Sequence, residues 1–187
     1  MSGDQMLAAE FSGPPTAAGE VILVTGRVLD TDGNPLTGAA VEFWQTDSNG
    51  IYDHPGDSGT ANRDRGFQFY GTAIAGEDGT YAFRTVRPGY YEPRPKHIHV
   101  KVKLDGRELL TTQFYFAEDG TGLSEMMVLK DGGTVDLNGT AVVLLTNDLI
   151  INTGSGGALT PTPAQTEGPY YPLATVADFD NDLAAVP

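Results

Sequence analysis

This 187-residue sequence predicts an all-β fold, a β-sandwich of mostly antiparallel strands with long loops and little helix. Three observations carry that expectation. Short runs rich in Val, Ile, Thr, Phe and Tyr recur at regular spacing, 24 glycines and 12 prolines punctuate them, and no helix-period pattern lasts beyond about two turns. The length suits one domain with a substantial core.

The elements follow in order. Residues 1–20, with Gly13-Pro14-Pro15, read as an arm carrying one helical turn over residues 6–11. Val21–Asp30 is a β-rich run that stops at the turn Thr31-Asp32-Gly33-Asn34-Pro35. Residues 39–46 make the second strand, closed by Asp47-Ser48-Asn49-Gly50, and Ile51 and Tyr52 then open a long polar loop to about Gly66. Residues 67–74 alternate as a strand, and the turn Glu77-Asp78-Gly79-Thr80 makes residues 81–86 its hairpin partner. Residues 99–104 alternate again and turn at Asp105-Gly106-Arg107 into a strand over residues 108–116. Residues 124–129 fit helix or loop, and residues 141–145 and Leu149–Ile151 read as closing strands. Residues 21–151 thus form the core sandwich, residues 152–158 a Gly/Ser linker, and residues 159–187 a proline-rich strap over the surface, all in one domain over residues 1–187. The acidic residues 176–183 read as a solvated loop rather than a calcium site.

Composition excludes several roles. A formal net charge of −14 repels nucleic acid and anionic membrane. No cysteine is present, so disulfides, thiolate metal sites and cysteine nucleophiles are excluded. No apolar run approaches the roughly 20 residues of a membrane span. The first residues lack the basic and apolar regions of a secretory signal, which leads us to expect a cytoplasmic protein. A homo-oligomer is compatible with these features.

Two of the three histidines, His97 and His99, lie one residue apart at the head of a strand. Strand residues two apart project from one face, so both imidazoles point to one place while Ile98 faces the other way. Such a pair suits a metal, and a zinc site would complete it with a carboxylate. The polar groups nearest in sequence are instead the phenols of Tyr90 and Tyr91, with Arg94 between them and the histidines. A phenolate is a hard anion that favours a hard trivalent metal, so iron(III) suits the set better than zinc. Arg94 offers fixed positive charge for a substrate that becomes anionic. His54 reads as a supporting or surface residue, and Trp44 and Gln45 as packing that braces the strand leading to Tyr52.

The motifs Gly26-Arg27-Val28-Leu29-Asp30, Gly38-Ala39-Ala40-Val41-Glu42-Phe43-Trp44-Gln45-Thr46-Asp47 and Asn49-Gly50-Ile51-Tyr52-Asp53-His54-Pro55 resemble the core of the intradiol ring-cleavage dioxygenases. So do Asp78-Gly79-Thr80-Tyr81-Ala82-Phe83-Arg84-Thr85, Arg94-Pro95-Lys96-His97-Ile98-His99 and Thr111-Thr112-Gln113-Phe114-Tyr115-Phe116. The resemblance covers roughly residues 21–151. It implies a β-sandwich holding non-haem Fe(III) through two tyrosines and two histidines. Carried over by position, Tyr52 is the first tyrosinate and Tyr91, rather than Tyr90, the second and displaceable one. His97 and His99 are the imidazole ligands, Arg94 faces the substrate, and Gln113 lies beside the pocket. The implied reaction takes a catechol derivative and O2 to a cis,cis-muconate-type diacid, with Tyr91 leaving the metal and accepting a proton.

One departure is large. Residues 162–172 and Asp180-Asn181-Asp182-Leu183 resemble the segment that opens the family's catalytic domain, yet here they follow the Gly/Ser linker. This implies a circular permutation in which residues 154–158 join the usual ends. Gly168, Pro169 and Tyr170 would then return to line the iron pocket. The short spacing from Tyr91 to His97, and a first segment without the helical dimerisation region of the catechol and hydroxyquinol branches, point to a compact enzyme of broad or unusual specificity. Two other readings stand beside it. The strand motifs also resemble the non-catalytic transthyretin-like or carboxypeptidase-regulatory-like sandwich modules, and His97 with His99 could serve a zinc hydrolase.

Overall fold

The computed structural model describes residues 2–119, 124–154 and 156–187, so Ser155 of the expected linker lies outside the described residues. Nine strands dominate: β1 (Val21–Asp30), β2 (Ala40–Trp44), β3 (Tyr70–Ile74), β4 (Thr80–Val86), β5 (His97–Leu104), β6 (Arg107–Phe116), β7 (Val128–Leu137), β8 (Thr140–Thr146) and β9 (Leu149–Ile151). Their order is β3-β2-β5-β6-β7-β8-β1-β4, with β9 running parallel to the end of β1. The fold is all-β, as its alternating sequence predicts.

The path bends into two facing halves. Among the described residues β6 and β7 meet through two residue pairs, Tyr115 with Val128 and Phe116 with Leu129. That corner sets β3-β2-β5-β6 against β7-β8-β1-β4. Alternation decides what lies between them. Ile22, Val24 and Val28 of β1, Val41 and Phe43 of β2, Phe83 of β4 and Ile98, Val100 and Val102 of β5 enter one buried cluster. Phe43 stacks on Phe83 at 3.7 Å between ring centres and meets Phe114 edge-on at 5.8 Å. Each such side chain contributes about 1.5–3 kcal/mol by leaving water. Because Ile98, Val100 and Val102 turn inward, His97, His99 and Lys101 turn to the opposite face. The strap crosses that face, and all three are at most 5% exposed.

The strap is fastened along its length. Thr162 N–H donates to Ile150 O, Gln165 N–H to Thr111 O, and the Thr112 hydroxyl to Pro163 O at 2.7 Å. Lys101 pairs with Glu167 and lies 4.1 Å from the centre of the Tyr171 ring, and Tyr171 donates to Glu42 at 2.5 Å.

Four expectations need correction. β3 and β4 do not form a hairpin, since β3 pairs with β2 and β4 with β1. A third segment occupies the place between them: Thr72 N–H donates to Asp180 O, Arg84 N–H to Asn181 O, and Leu183 N–H to Arg84 O. The acidic stretch is accordingly no solvated loop. Asp182 takes a two-pronged ion pair from Arg84, which is 2% exposed, at 2.6 and 2.9 Å. Residues 128–137 form a ten-residue strand, β7, where no strand was expected. Its Asp131-Gly132-Gly133 interior, the register shift there and a mostly exposed face hide the alternation. The N-terminal helix α1 (Gly3–Glu10) is longer than one turn, started by a reciprocal cap between Ser2 and Gln5.

Candidate metal centre

β5 delivers both imidazoles to one point. His97 Nε2 and His99 Nε2 are 3.1 Å apart, and Tyr52, from the loop after β2, brings its hydroxyl to 3.3 Å from the first and 2.9 Å from the second. All three residues are at most 5% exposed. The third group at the histidine pair is thus a phenol, and among the described residues no cluster of three or more His, Asp or Glu forms a metal cage. This geometry does not supply the carboxylate that the zinc-hydrolase reading needs.

Protonation shows what the trio can hold. His97 Nδ1 sits 2.7 Å from Pro95 O, a carbonyl that can only accept, so the proton is on Nδ1 and the Nε2 lone pair faces the trio. Burial pushes the His97 pKa down to about 4 and holds that of His99 well below the usual range, with His97 and the Arg94 charge adding to the effect at His99. Both rings are neutral near pH 7. Burial also raises the Tyr52 pKa, against the lowering effect of Arg94. Three atoms that carry lone pairs face one another at 2.9–3.3 Å, with the Tyr52 hydroxyl still holding its proton in the absence of a metal. Bonds of about 2.0–2.2 Å from a metal to N and O ligands would separate neighbouring ligand atoms by roughly 3 Å, so these spacings fit the edges of a coordination shell. The Tyr and His donors fit a ferric ion.

The two imidazoles are oriented differently. His97 is fixed by Pro95 O. Among the described residues His99 Nδ1 is buried without a hydrogen-bond partner, and its ring is held instead by Trp44, stacked at 4.8 Å and 7°. Trp44 and His99 are cross-strand neighbours in the register of β2 with β5. Gln45 braces the same region as expected, with Nε2 donating to Val86 O at 2.8 Å and Oε1 accepting from Thr85.

The remaining predicted residues surround the trio. Tyr91 packs edge-on against Tyr52 at 5.4 Å between centroids, whereas Tyr90 is 55% exposed. Among the described residues the Tyr91 hydroxyl pairs with Tyr170 at 2.7 Å, and no hydrogen bond joins it to the imidazoles. That bond, with burial, pushes the Tyr91 pKa up to about 12. Arg94 Nη2 donates to Gln113 Oε1 at 2.6 Å and to the Tyr115 hydroxyl at 3.1 Å, and Tyr115 donates to the same Gln113 oxygen at 2.5 Å. Tyr115 was not singled out by sequence reasoning. Its position directly across from His97 in the register of β5 with β6 is the signal that could have found it. Gly168 comes close enough to His99 that a Cβ there would lie 3.5 Å from Cε1, and its φ of +79° favours glycine. Tyr170 lies 4.8 Å from Tyr52 between ring centres, and Pro169 sits exposed between these two. His54 flanks Tyr170 at 5.4 Å and accepts from Gly56 N–H.

Comparison with known proteins gives the family. The model of a family described as Dioxygenase matches residues 2–130, more than half of the chain. The chain belongs to the intradiol ring-cleavage dioxygenase family. It is 35% identical over 119 residues to hydroxyquinol 1,2-dioxygenase of Rhizobium sp., covering 54% of this chain and 39% of that protein. It is 41% identical over 110 residues to the protocatechuate 3,4-dioxygenase beta chain of Burkholderia cepacia, covering 54% and 46%. The chain therefore spans less than half the length of these curated members of the intradiol family. Among solved structures, the dioxygenase domain of a dioxygenase carbohydrate-binding protein fusion from Streptomyces sp. SirexAA-E superposes with a TM-score of 0.57 at 29% identity, over 75% of this chain and 84% of that one.

Proposed function

We propose that this protein is a non-haem iron(III) dioxygenase that cleaves a catechol-type ring between its two hydroxyls, giving a cis,cis-muconate-type diacid. The observation that carries the reading is the buried meeting of one phenol oxygen and two imidazole nitrogens, in a member of the intradiol family. Tyr52, His97 and His99 would hold the ion, with Tyr91 as the displaceable fourth ligand. When bound, a ferric ion would supply a Lewis acid for the catechol oxygens and withdraw electron density from the ring. Both atoms of O2 enter the product, so no external reductant is needed.

The chain's own residues supply the rest. A catechol binding through its oxygens must give up protons, and Tyr91, released as a phenolate, would take one and become the hydroxyl that pairs with Tyr170. Arg94, clamped by Gln113 and Tyr115, sets a positive charge where its influence reaches Tyr52, His97 and His99. That charge stabilises an anionic ring. Tyr170 and the Gly168 backbone form the wall contributed by the strap and limit access of water. Purified protein should contain iron, absorb in the visible through tyrosinate-to-iron charge transfer and consume O2 with catechol. Tyr52→Phe should bleach or shift the colour. Zinc in place of iron, or iron without any oxygen uptake, would overturn the reading.

The chain order belongs to the same proposal. The family match stops at residue 130, the strap seats Gly168 and Tyr170 at the centre, and Ala184 O accepts from Thr16 and Ala17 N–H at 2.9 and 3.0 Å. These contacts support a circular permutation with its joint at residues 154–158. A variant opened within that joint, and closed between the C-terminal segment and the arm before β1, should fold and bind iron; failure to fold would argue against it.

A further inference from the structure

β2 and β5 set a square of side chains on the face that the strap crosses. In their register Trp44 lies opposite His99 and Glu42 opposite Lys101, and strand residues two apart share a face. All four are at most 5% exposed. Tyr171 of the strap closes over this square. Its ring meets the Trp44 indole edge-on at 4.8 Å, its hydroxyl donates to Glu42 at 2.5 Å, and the Lys101 ammonium lies 4.1 Å from its centre.

One corner of the square, His99, belongs to the trio. A metal-bound imidazole is normally oriented by giving its second N–H to a carboxylate, a carbonyl or water. Pro95 O serves His97 in this way, whereas among the described residues nothing hydrogen-bonds His99 Nδ1. The last torsion of a histidine is broad, so contacts on the ring faces must set its angle. The Trp44 indole supplies such a contact, parallel within 7° at 4.8 Å. Its own N–H is buried with no hydrogen-bond partner among the described residues, so packing fixes the indole in turn. Tyr171 is part of that packing and is itself pinned by Glu42, which also pairs with Lys103 at 2.9 Å.

We infer that Trp44 is the positioning residue for His99 and that Tyr171 seats Trp44, so the strap takes part in holding the metal through two aromatic rings. The inference rests on the reading of the trio as an iron centre. It makes iron retention depend on side chains that touch neither the ion nor the substrate.

The test has a metal-free arm and an iron arm, both on the full-length protein. In the iron-free protein the His99 ring protons, read by NMR, should lie upfield of those of His97 through the indole ring current, and Trp44→Leu should remove that displacement. In the iron-loaded protein Trp44→Leu should quicken iron release to a chelator about ten- to a hundredfold, the range for loss of a group that orients a ligand. The tyrosinate-to-iron band should move as well. Trp44→Phe keeps a stacking face and should restore most of both. Tyr171→Leu should quicken release about threefold, as for one aromatic pair, and add nothing in the Trp44→Leu background. It carries the test by itself if Trp44→Leu does not fold, since release and the His99 resonances must both move. Thr162→Val removes a strap bond that neither ring makes and should leave both readouts unchanged. Unchanged release in Trp44→Leu, no rescue by phenylalanine, additive effects of the two substitutions, or an equal loss in Thr162→Val would overturn the assignment. Iron bound and oxygen consumed, with His99 resonances indifferent to Trp44→Leu, leaves the centre standing and sinks the positioning role. A protein that holds no iron, yet shows the upfield His99 signal lost in Trp44→Leu and weakened in Tyr171→Leu, does the reverse.

Discussion

The nitrogen side and the oxygen side of the centre are built on different kinds of backbone. His97 and His99 ride on β5, which is laddered on both flanks: His99 lies between Trp44 of β2 and Gln113 of β6, and His97 opposite Tyr115. Tyr52 sits on a loop, tied at its N–H to Asp57 and at its carbonyl to Thr60, both at 2.8 Å. Tyr91 has less, a tight turn closed by Arg94 N–H on Tyr91 O and the hydroxyl bond to Tyr170. The support weakens in the order imidazoles, Tyr52, Tyr91. In the proposed centre, strand-borne ligands would keep the metal position fixed, while the phenol proposed to leave sits on the least supported backbone.

That gradient can be broken at several points. The largest effect is expected at its rigid end: His99→Ala should lose iron on dialysis and with it all measurable turnover, as read by metal analysis and oxygen uptake. Next comes removal of the metal. In the iron-free protein the His97 pKa near 4 lies below the unfolded value of about 6.5, so the unfolded state binds the extra proton first as pH falls. Stability should therefore be intact above about pH 6.5 and decline by of order 3 kcal/mol towards pH 4, visible in urea melts; bound iron should raise the whole curve without removing the slope. At the mobile end, Tyr91→Phe should keep iron bound yet lower turnover roughly a hundredfold, the low range for loss of a positioned proton carrier. Loss of iron in that variant would show that Tyr91 belongs with the fixed ligands. The smallest effect is expected in the strap, where Gly168→Ala must adopt φ of +79°. It should cost about 1–2 kcal/mol in thermal melts and only a fewfold in turnover.

Much of this was legible before any coordinates. The two-residue spacing of His97 and His99 placed both imidazoles on one face, and runs of β-forming and apolar residues located β1 and β9 to the residue. What escaped did so for physical reasons. β7 escaped because glycine and aspartate interrupt its alternation and few of its side chains are buried. The β3–β4 hairpin was wrong because short-range turn chemistry at Gly76–Thr80 is real, with Gly76 N–H on Thr80 O, while the strand edges are claimed by a segment distant in sequence. The roles of Trp44 against His99 and Tyr115 against Arg94 depend on cross-strand register, which a local pattern does not contain.

The segment that separates β3 from β4 has a consequence for how the molecule is made. Asp182 follows its partner Arg84 by 98 residues, so while the chain is being synthesised two bare strand borders wait, long after they could have formed, for their cover to emerge. A ribosome-stalled intermediate would display both borders at once, and chaperones that bind unpaired β-strands should find it the most attractive species on the route to the native state.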